Sequence, residues 1–91
     1  MEEYSHDGPL IVAMPLYNEE ETVGSVVIQS LAHADEVVCV DDGSSDSSAR
    51  ISRKVGATVI SHRANRGYGA ALKSIFQYAI EKDARALIIL D

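Results

Sequence analysis

The chain contains few of the residues that cross-link a fold or restrict its backbone. It has one cysteine, two prolines, six glycines and no tryptophan among 91 residues, and only 5% of its residues are aromatic. A single cysteine, Cys39, excludes an internal disulfide, and its apolar neighbours indicate a small buried strand residue rather than a nucleophile. With 46% hydrophobic and 24% charged residues, the composition excludes a disordered or collagen-like chain and is typical of one globular domain or part of one.

Long apolar runs are also missing. No run approaches the ~20 residues that a membrane span needs. Residues 1–8 are polar and acidic, without the basic start and apolar centre of a signal peptide. We expect them to form a flexible N-terminal segment before a domain over residues 9–91, and we expect a cytoplasmic location.

Basic residues are absent from the first half of the chain. Residues 1–46 contain 11 Asp or Glu and no Lys or Arg, whereas residues 47–91 hold all eight basic residues. This acidic block disfavours nucleic acid as a partner, because a phosphate backbone binds a basic surface. His6, His33 and His62 lack the spacing of metal ligands and are expected to be ordinary surface residues.

Strand and helix patterns alternate along the chain. Apolar runs predict strands over residues 10–14, 36–40, 57–61 and 86–90, and periodic apolar stripes predict three helices between them, the last over residues 69–82. This order predicts an α/β fold, Rossmann-like, with three α/β/α layers around a parallel sheet of order 3-2-1-4. Pro15 is expected to end strand 1, and Asn18 to cap helix 1 with Glu19–Glu21 at its positive end.

Acidic or amide side chains follow three of the predicted strands. They are residues 18–21 after strand 1, Asp41 and Asp42 after strand 2, and Asp91 after strand 4. Carboxyl ends of parallel strands share one sheet edge, and ligands bind there, at the switch between strands 1 and 4. Clustered carboxylates suit hydroxyl groups or a divalent cation, so the pattern predicts a sugar-nucleotide site.

A nicotinamide dinucleotide site is the first alternative on this fold. Its fingerprint needs a glycine-rich turn directly after strand 1, where residues 15–20 are bulky or anionic instead. The glycines of residues 67–69 match it only in part and equally fit a flexible connector.

Four segments, taken together, resemble the successive motifs of family 2 glycosyltransferases. They are residues 12–20, 40–46, 65–71 and 89–91, and the resemblance is closest to the polyprenyl and dolichyl phosphate sugar synthases. It implies the nucleotide-binding half of a GT-A domain and inverting transfer of a sugar from a UDP- or GDP-sugar. The implied acceptor is a polyprenyl phosphate, and the full-length protein would work at the cytoplasmic face of a membrane.

The resemblance also implies roles for single residues. Pro15, Tyr17, Glu19 and one aspartate of the pair Asp41 and Asp42 would hold the base and ribose. Asp91 matches the first aspartate of the family's metal motif, which binds Mg²⁺ or Mn²⁺.

Each of these residues also has a plainer interpretation. One of Asp41 and Asp42 can accept the imide N–H of a base, while the other serves the Asp-Gly turn or caps the next helix. Tyr17 either packs on the base or seals the sheet end, and Glu19 either binds ribose or complements a helix dipole.

The remaining candidates stay open in the same way. Arg63 and Arg66 either assist phosphate binding or lie on a solvated loop. Asp91 is either a metal ligand or a strand-end cap.

The family's second metal aspartate, its catalytic base and its acceptor-binding half have no counterpart in these residues. We therefore expect an amino-terminal half that is inactive alone, with a non-catalytic nucleotide-binding regulatory module and a purely structural fragment as alternatives. The apolar edge of strand 4 predicts a homodimer of this fragment.

Overall fold

The computed structural model describes residues 7–91, so the segment expected to be flexible over residues 1–8 lies, apart from its last two residues, outside the described part. The α/β fold is confirmed: four parallel strands lie in the order β3-β2-β1-β4. The elements are β1 (Leu10–Leu16), α1 (Val23–Leu31), β2 (Glu36–Asp42), α2 (Ser48–Lys54), β3 (Thr58–His62), α3 (Tyr68–Glu81) and β4 (Ala86–Ile89).

Apolar residues cover both faces of the two central strands, β1 and β2. On one face, Val12, Met14 and Cys39 pack with Val23 and Val27 of α1, and α2 joins them through Ile51 and Val55. Cys39 is fully buried, as predicted, and burial raises the pKa of its thiol to about 11.

The opposite face of the sheet packs against α3. Ile11, Ala13 and Val38 contact Ala71 and Ile75 there. A sheet buried on both faces needs continuous apolar runs rather than alternation, and this is the pattern that the sequence carries.

Strand β1 does not end at Pro15 but continues to Leu16, which corrects the predicted boundary. In a strand, the N–H and C=O of one residue point toward the same side, and those of the next residue point toward the opposite side. Residues 13 and 15 therefore point the same way. Ala13 C=O accepts from Leu90 N, so Pro15 N points toward the β4 side as well. Pairing with β4 stops at Ala13. Pro15, which has no N–H to donate, is therefore tolerated at the end of β1.

Helix α1 begins at Val23, later than predicted, and Asn18 is not its cap. The Asn18 side chain accepts from Ser45 N at 2.8 Å, and its own N–H donates to Ser44 Oγ at 2.9 Å. Residues 19–21 precede the helix, whose first turn holds no acid. The loop after β1 is thus bonded to the loop after β2 rather than to its own helix.

Gly43 makes a close approach between two loops possible. Its φ is +79°, and a Cβ built on it would lie 2.6 Å from Asn65 N and 2.7 Å from Ala64 C. Both atoms are backbone, so a side chain could be accommodated only by moving the loop over residues 63–67.

Strand β4 forms one edge of the described sheet. Its Ile88 side chain is 48% exposed, on the sheet face opposite the one that packs against α3. Among residues 7–91, no helix has the length and apolar character required to cross a bilayer.

We predict that Gly43→Ala lowers the free energy of unfolding by more than about 1 kcal/mol, because positive φ and backbone overlap both oppose a methyl group. Gly69→Ala is the matched control: a Cβ there meets nothing within 4 Å, and in a helix it should stabilise by up to about 1 kcal/mol. Urea denaturation of both variants checks this. Equal stabilities would contradict the close approach at Gly43.

We also predict that the chain self-associates through β4, because an unpaired apolar edge strand is a template for pairing with a second copy. Light scattering over a concentration series should show dimers, and Ile88→Lys should abolish them. Ile28→Lys adds the same charge on α1, where Ile28 is also exposed, and should leave the dimer intact. A monomer at every concentration would refute the edge argument.

Candidate functional site

A cavity of about 340 Å³ opens at the carboxyl ends of β1, β2 and β4. This volume lies in the range of small-ligand sites, and the position is the one at which open α/β sheets bind ligands. The cavity brings together five of the predicted residues, and its full lining is Pro15, Leu16, Tyr17, Glu19, Asp42, Asn65, Gly67, Tyr68, Ala71 and Asp91.

Asp42 is the most strongly held side chain of this site. It is only 5% exposed. Its Oδ1 accepts from Arg66 N at 2.8 Å, and its Oδ2 accepts from Gly67 N at 2.9 Å. Burial raises the pKa of Asp42, but the hydrogen bond from His62 and the two backbone N–H groups outweigh it and hold that pKa below its ordinary value.

His62 is a buried partner of Asp42, which corrects the expectation that it is a surface residue. It is 8% exposed, and its Nδ1 lies 2.8 Å from Asp42 Oδ1. Because an ionised carboxylate only accepts, the ring donates from Nδ1. Its Nε2 lies 2.9 Å from Ser74 Oγ on α3. Of the other two histidines, His33 is exposed as predicted, and His6 lies outside the described residues.

The sequence carries one signal that could have found His62. Strand β3 pairs with β2, and the register places His62 beside Asp42 at the carboxyl ends of both strands. The predicted order 3-2-1-4 already made these strands neighbours. A polar residue directly after strand 3 therefore had to lie near the aspartate pair.

Asp41 takes the turn role that was left open between the two aspartates. Its Oδ1 accepts from Ser44 N at 3.2 Å, which closes the turn after β2. Asp41 is buried but does not line the cavity. Of the pair, Asp42 is therefore the aspartate that faces the cavity.

Serines after β2 hold the loop after β1, a role that the sequence pattern did not reveal. Ser48 Oγ accepts from Glu19 N at 2.7 Å. The Glu20 carboxylate accepts from Ser47 N at 2.9 Å, so this acid complements the start of α2 rather than that of α1. These bonds fix the backbone that presents Tyr17 and Glu19 to the cavity.

Tyr17 and Glu19 lie at the mouth of the cavity and are exposed. Tyr17 is 49% exposed, so about half of its surface stays open to solvent. An exposed aromatic ring beside a cavity offers a surface on which a planar base can stack.

Asp91 and Tyr68 close the cavity on the side of β4. The Tyr68 hydroxyl donates to Asp91 Oδ1 at 2.6 Å. This hydrogen bond, with smaller contributions from burial and the charge of Asp91, raises the pKa of Tyr68.

The described residues do not form a complete set of protein ligands for a metal ion. Among residues 7–91, no group of three His, Cys, Asp or Glu side chains is placed to hold a metal ion. Mg²⁺, however, is usually bound through one or two carboxylates together with substrate phosphates and water. Asp91 fits as one such carboxylate.

Arg63 and Arg66 lie on the loop between β3 and α3, and both are exposed. Neither lines the cavity. The loop meets the site instead through the backbone N–H groups of Arg66 and Gly67. A phosphate contact of the two arginine side chains stays a prediction.

Comparison with known proteins identifies relatives of this chain. The profile of Glycosyl transferase family 2 matches residues 11–91. A dolichyl-phosphate hexose transferase of Haloferax volcanii is 46% identical over 77 residues, which cover 81% of this chain and 32% of the relative. An undecaprenyl-phosphate 4-deoxy-4-formamido-L-arabinose transferase of Edwardsiella ictaluri is 38% identical over 68 residues, covering 64% and 21% of the two chains.

A solved structure has the same fold. The glucosyl-3-phosphoglycerate synthase of Mycobacterium tuberculosis, crystallised with Mn²⁺, UDP and glucosyl-3-phosphoglycerate, superposes with a TM-score of 0.71 at 26% identity, over 93% of this chain and 33% of that one. The fold is thus that of the GT-A glycosyltransferases. The chain spans about a third of the length of the first curated relatives it matches.

We predict that Asp42→Asn lowers the free energy of unfolding at pH 7 by about 1 to 3 kcal/mol, because an amide nitrogen would face donors that the carboxylate satisfies. The folded-state pKa of Asp42 is lowered, so its contribution is complete above the ordinary value of about 3.9 and is lost as pH falls through the lower folded value. Denaturation at pH 7 and pH 3 should show a smaller acid loss in this variant than in the wild type.

The control is Asp41→Asn, which leaves the contacts of Asp42 in place. This variant should still lose the stability that Asp42 contributes when the pH falls from 7 to 3. Some acid loss should remain in Asp42→Asn, since Ser48 hydrogen bonds hold the pKa of Asp46 low as well. Identical pH dependence in Asp42→Asn and wild type would contradict the role of the buried carboxylate.

Proposed function

The chain belongs to glycosyl transferase family 2, and we propose that its cavity binds the nucleoside diphosphate of a sugar donor. The observation that carries this proposal is the grouping of Asp42, Tyr17, Glu19 and Asp91 around one cavity at the switch point of the sheet. In the whole protein, the sugar would pass with inversion to a polyprenyl phosphate. The relatives named for dolichyl- and undecaprenyl-phosphate substrates support that acceptor class.

Each part of the donor has a counterpart in the lining. The buried carboxylate of Asp42 accepts an N–H of the base, and Tyr17 packs on the ring face. Glu19, two residues after Tyr17 in the same loop, accepts from ribose hydroxyl groups. Pro15 fixes the backbone at the end of β1, where the loop leaves the sheet.

The diphosphate requires positive charge that the cavity lining lacks. The lining contains three carboxylates and no Lys or Arg. A bound Mg²⁺ or Mn²⁺ would neutralise the phosphates and the leaving group. Asp91 would hold this ion together with phosphate oxygens.

Sugar transfer also needs a base that takes the acceptor proton and a site that orients the acceptor. Neither is assigned to a residue of this chain, and inactivity of the 91 residues alone stays a prediction. A polyprenyl phosphate is a lipid, so the whole protein would act at a membrane surface, and we propose its cytoplasmic face. No observation on the described residues favours a non-catalytic nucleotide-binding module.

We predict that the chain binds UDP or GDP weakly, and more tightly when Mg²⁺ or Mn²⁺ is present. Isothermal titration with each nucleotide, with metal and with EDTA, measures this. Asp91→Asn should remove most of the gain from metal and leave metal-free binding nearly unchanged, because its carboxylate acts through the ion.

Glu21→Gln is the control, since it removes an exposed acid of the same edge that does not line the cavity. It should keep the metal effect. Affinity that EDTA does not change would remove the metal role of Asp91, and absence of any nucleotide binding would refute the proposed function itself.

A further inference from the structure

We propose that the donor nucleotide is a uridine diphosphate, and that His62 is the positioning residue that sets this preference. The inference rests on the proposed function, since it concerns which base the cavity accepts. It follows from how many hydrogen bonds the buried carboxylate of Asp42 can still accept.

The acceptor positions of Asp42 are almost all in use. A carboxylate has about four lone-pair positions, two on each oxygen. His62 Nδ1 and Arg66 N, both at 2.8 Å, occupy the two positions of Oδ1. Gly67 N occupies one position of Oδ2 at 2.9 Å. One position on Oδ2 is left, and Asp42 lines the cavity from which a base would reach it.

His62 keeps Oδ1 occupied. Its ring is buried and is held at both nitrogens, by Asp42 on β2 and by Ser74 on α3. Turning the carboxylate to offer Oδ1 to a ligand would leave a buried ring N–H without a partner, which is costly. The carboxylate is therefore fixed as a single acceptor toward the cavity.

Among the four bases of ribonucleotides, only uracil matches a single acceptor in this way, since thymine, which has the same imide, is carried by deoxyribonucleotides. Uracil presents one imide N–H between two carbonyl groups. Guanine presents two neighbouring N–H donors, which a carboxylate receives with both oxygens, and here the second donor would meet the saturated Oδ1. Adenine and cytosine each present an unprotonated ring nitrogen beside the amino group, and that lone pair is repelled by the carboxylate.

A second lining residue suits the carbonyl groups of uracil. The amide of Asn65 can donate two N–H bonds, and it lies in the same wall of the cavity as Gly67. Tyr17 and Tyr68 line the cavity too and are about half exposed. Their rings can pack on any base, so they add affinity without discrimination.

The test compares dissociation constants of UDP and GDP, in Mg²⁺, for the wild type, His62→Phe and Ser74→Ala. We expect UDP to bind at least about tenfold more tightly than GDP in the wild type, the effect of one unpaired buried donor. His62→Phe frees a position on Oδ1 and should reduce this ratio severalfold. Ser74→Ala removes the far hydrogen bond only and should keep the ratio.

The ratio of the UDP and GDP dissociation constants separates a positioning role of His62 from a loss of stability, because partial unfolding weakens the binding of both nucleotides equally. N3-methylated UDP provides a test on unaltered protein, and it should bind at least about tenfold more weakly than UDP. Equal or tighter binding of GDP, or full affinity for the methylated nucleotide, would overturn this inference while the proposed function stands. If neither nucleotide binds, the proposed function fails first. If His62→Phe does not fold, the methylated nucleotide decides.

Discussion

A buried carboxylate at the end of β2 joins the strand, loop and helix around the cavity. Asp42 accepts from the backbone of the loop over residues 63–67 and from His62, whose other nitrogen reaches Ser74 on α3. Charge-assisted hydrogen bonds of this kind are stronger than neutral ones, and a low local dielectric strengthens them further. The shape of the cavity therefore depends on Asp42 staying ionised.

Three carboxylates at this sheet edge, those of Glu20, Asp41 and Asp46, are held by N–H and O–H donors rather than by Lys or Arg. Glu20 accepts from Ser47 N, Asp41 from Ser44 N, and Asp46 from the N–H and hydroxyl of Ser48. Each donor comes from the serine-rich segment between β2 and the first residue of α2. Carboxylates can thus gather at one sheet edge without Lys or Arg, because backbone dipoles oppose their mutual repulsion.

The strands could be predicted from sequence because burial on both faces leaves continuous apolar runs, and α3 could be predicted because burial of one face leaves a periodic apolar stripe. The start of α1 could not. Asn18 followed by Glu21 fits a capping box locally, but the Asn18 amide bonds to Ser45, which is 27 residues away. Contacts between loops at such separation follow from the packing of strands and leave no repeat in the sequence. The same holds for His62, a single polar residue whose partner lies 20 residues earlier.

The position of the candidate site could be predicted because the family motifs coincide with the strand ends. The roles of its individual residues could be distinguished only in the structure. The motif treats the aspartate pair alike, whereas alternation along β2 gives one member to the turn and the other to the cavity. On the far wall, the Tyr68 hydroxyl holds Asp91 Oδ1 and leaves Oδ2 for another ligand. This hydrogen bond joins the first residue of α3 to the segment just after β4. A ligand that binds Asp91 would therefore also affect the start of α3.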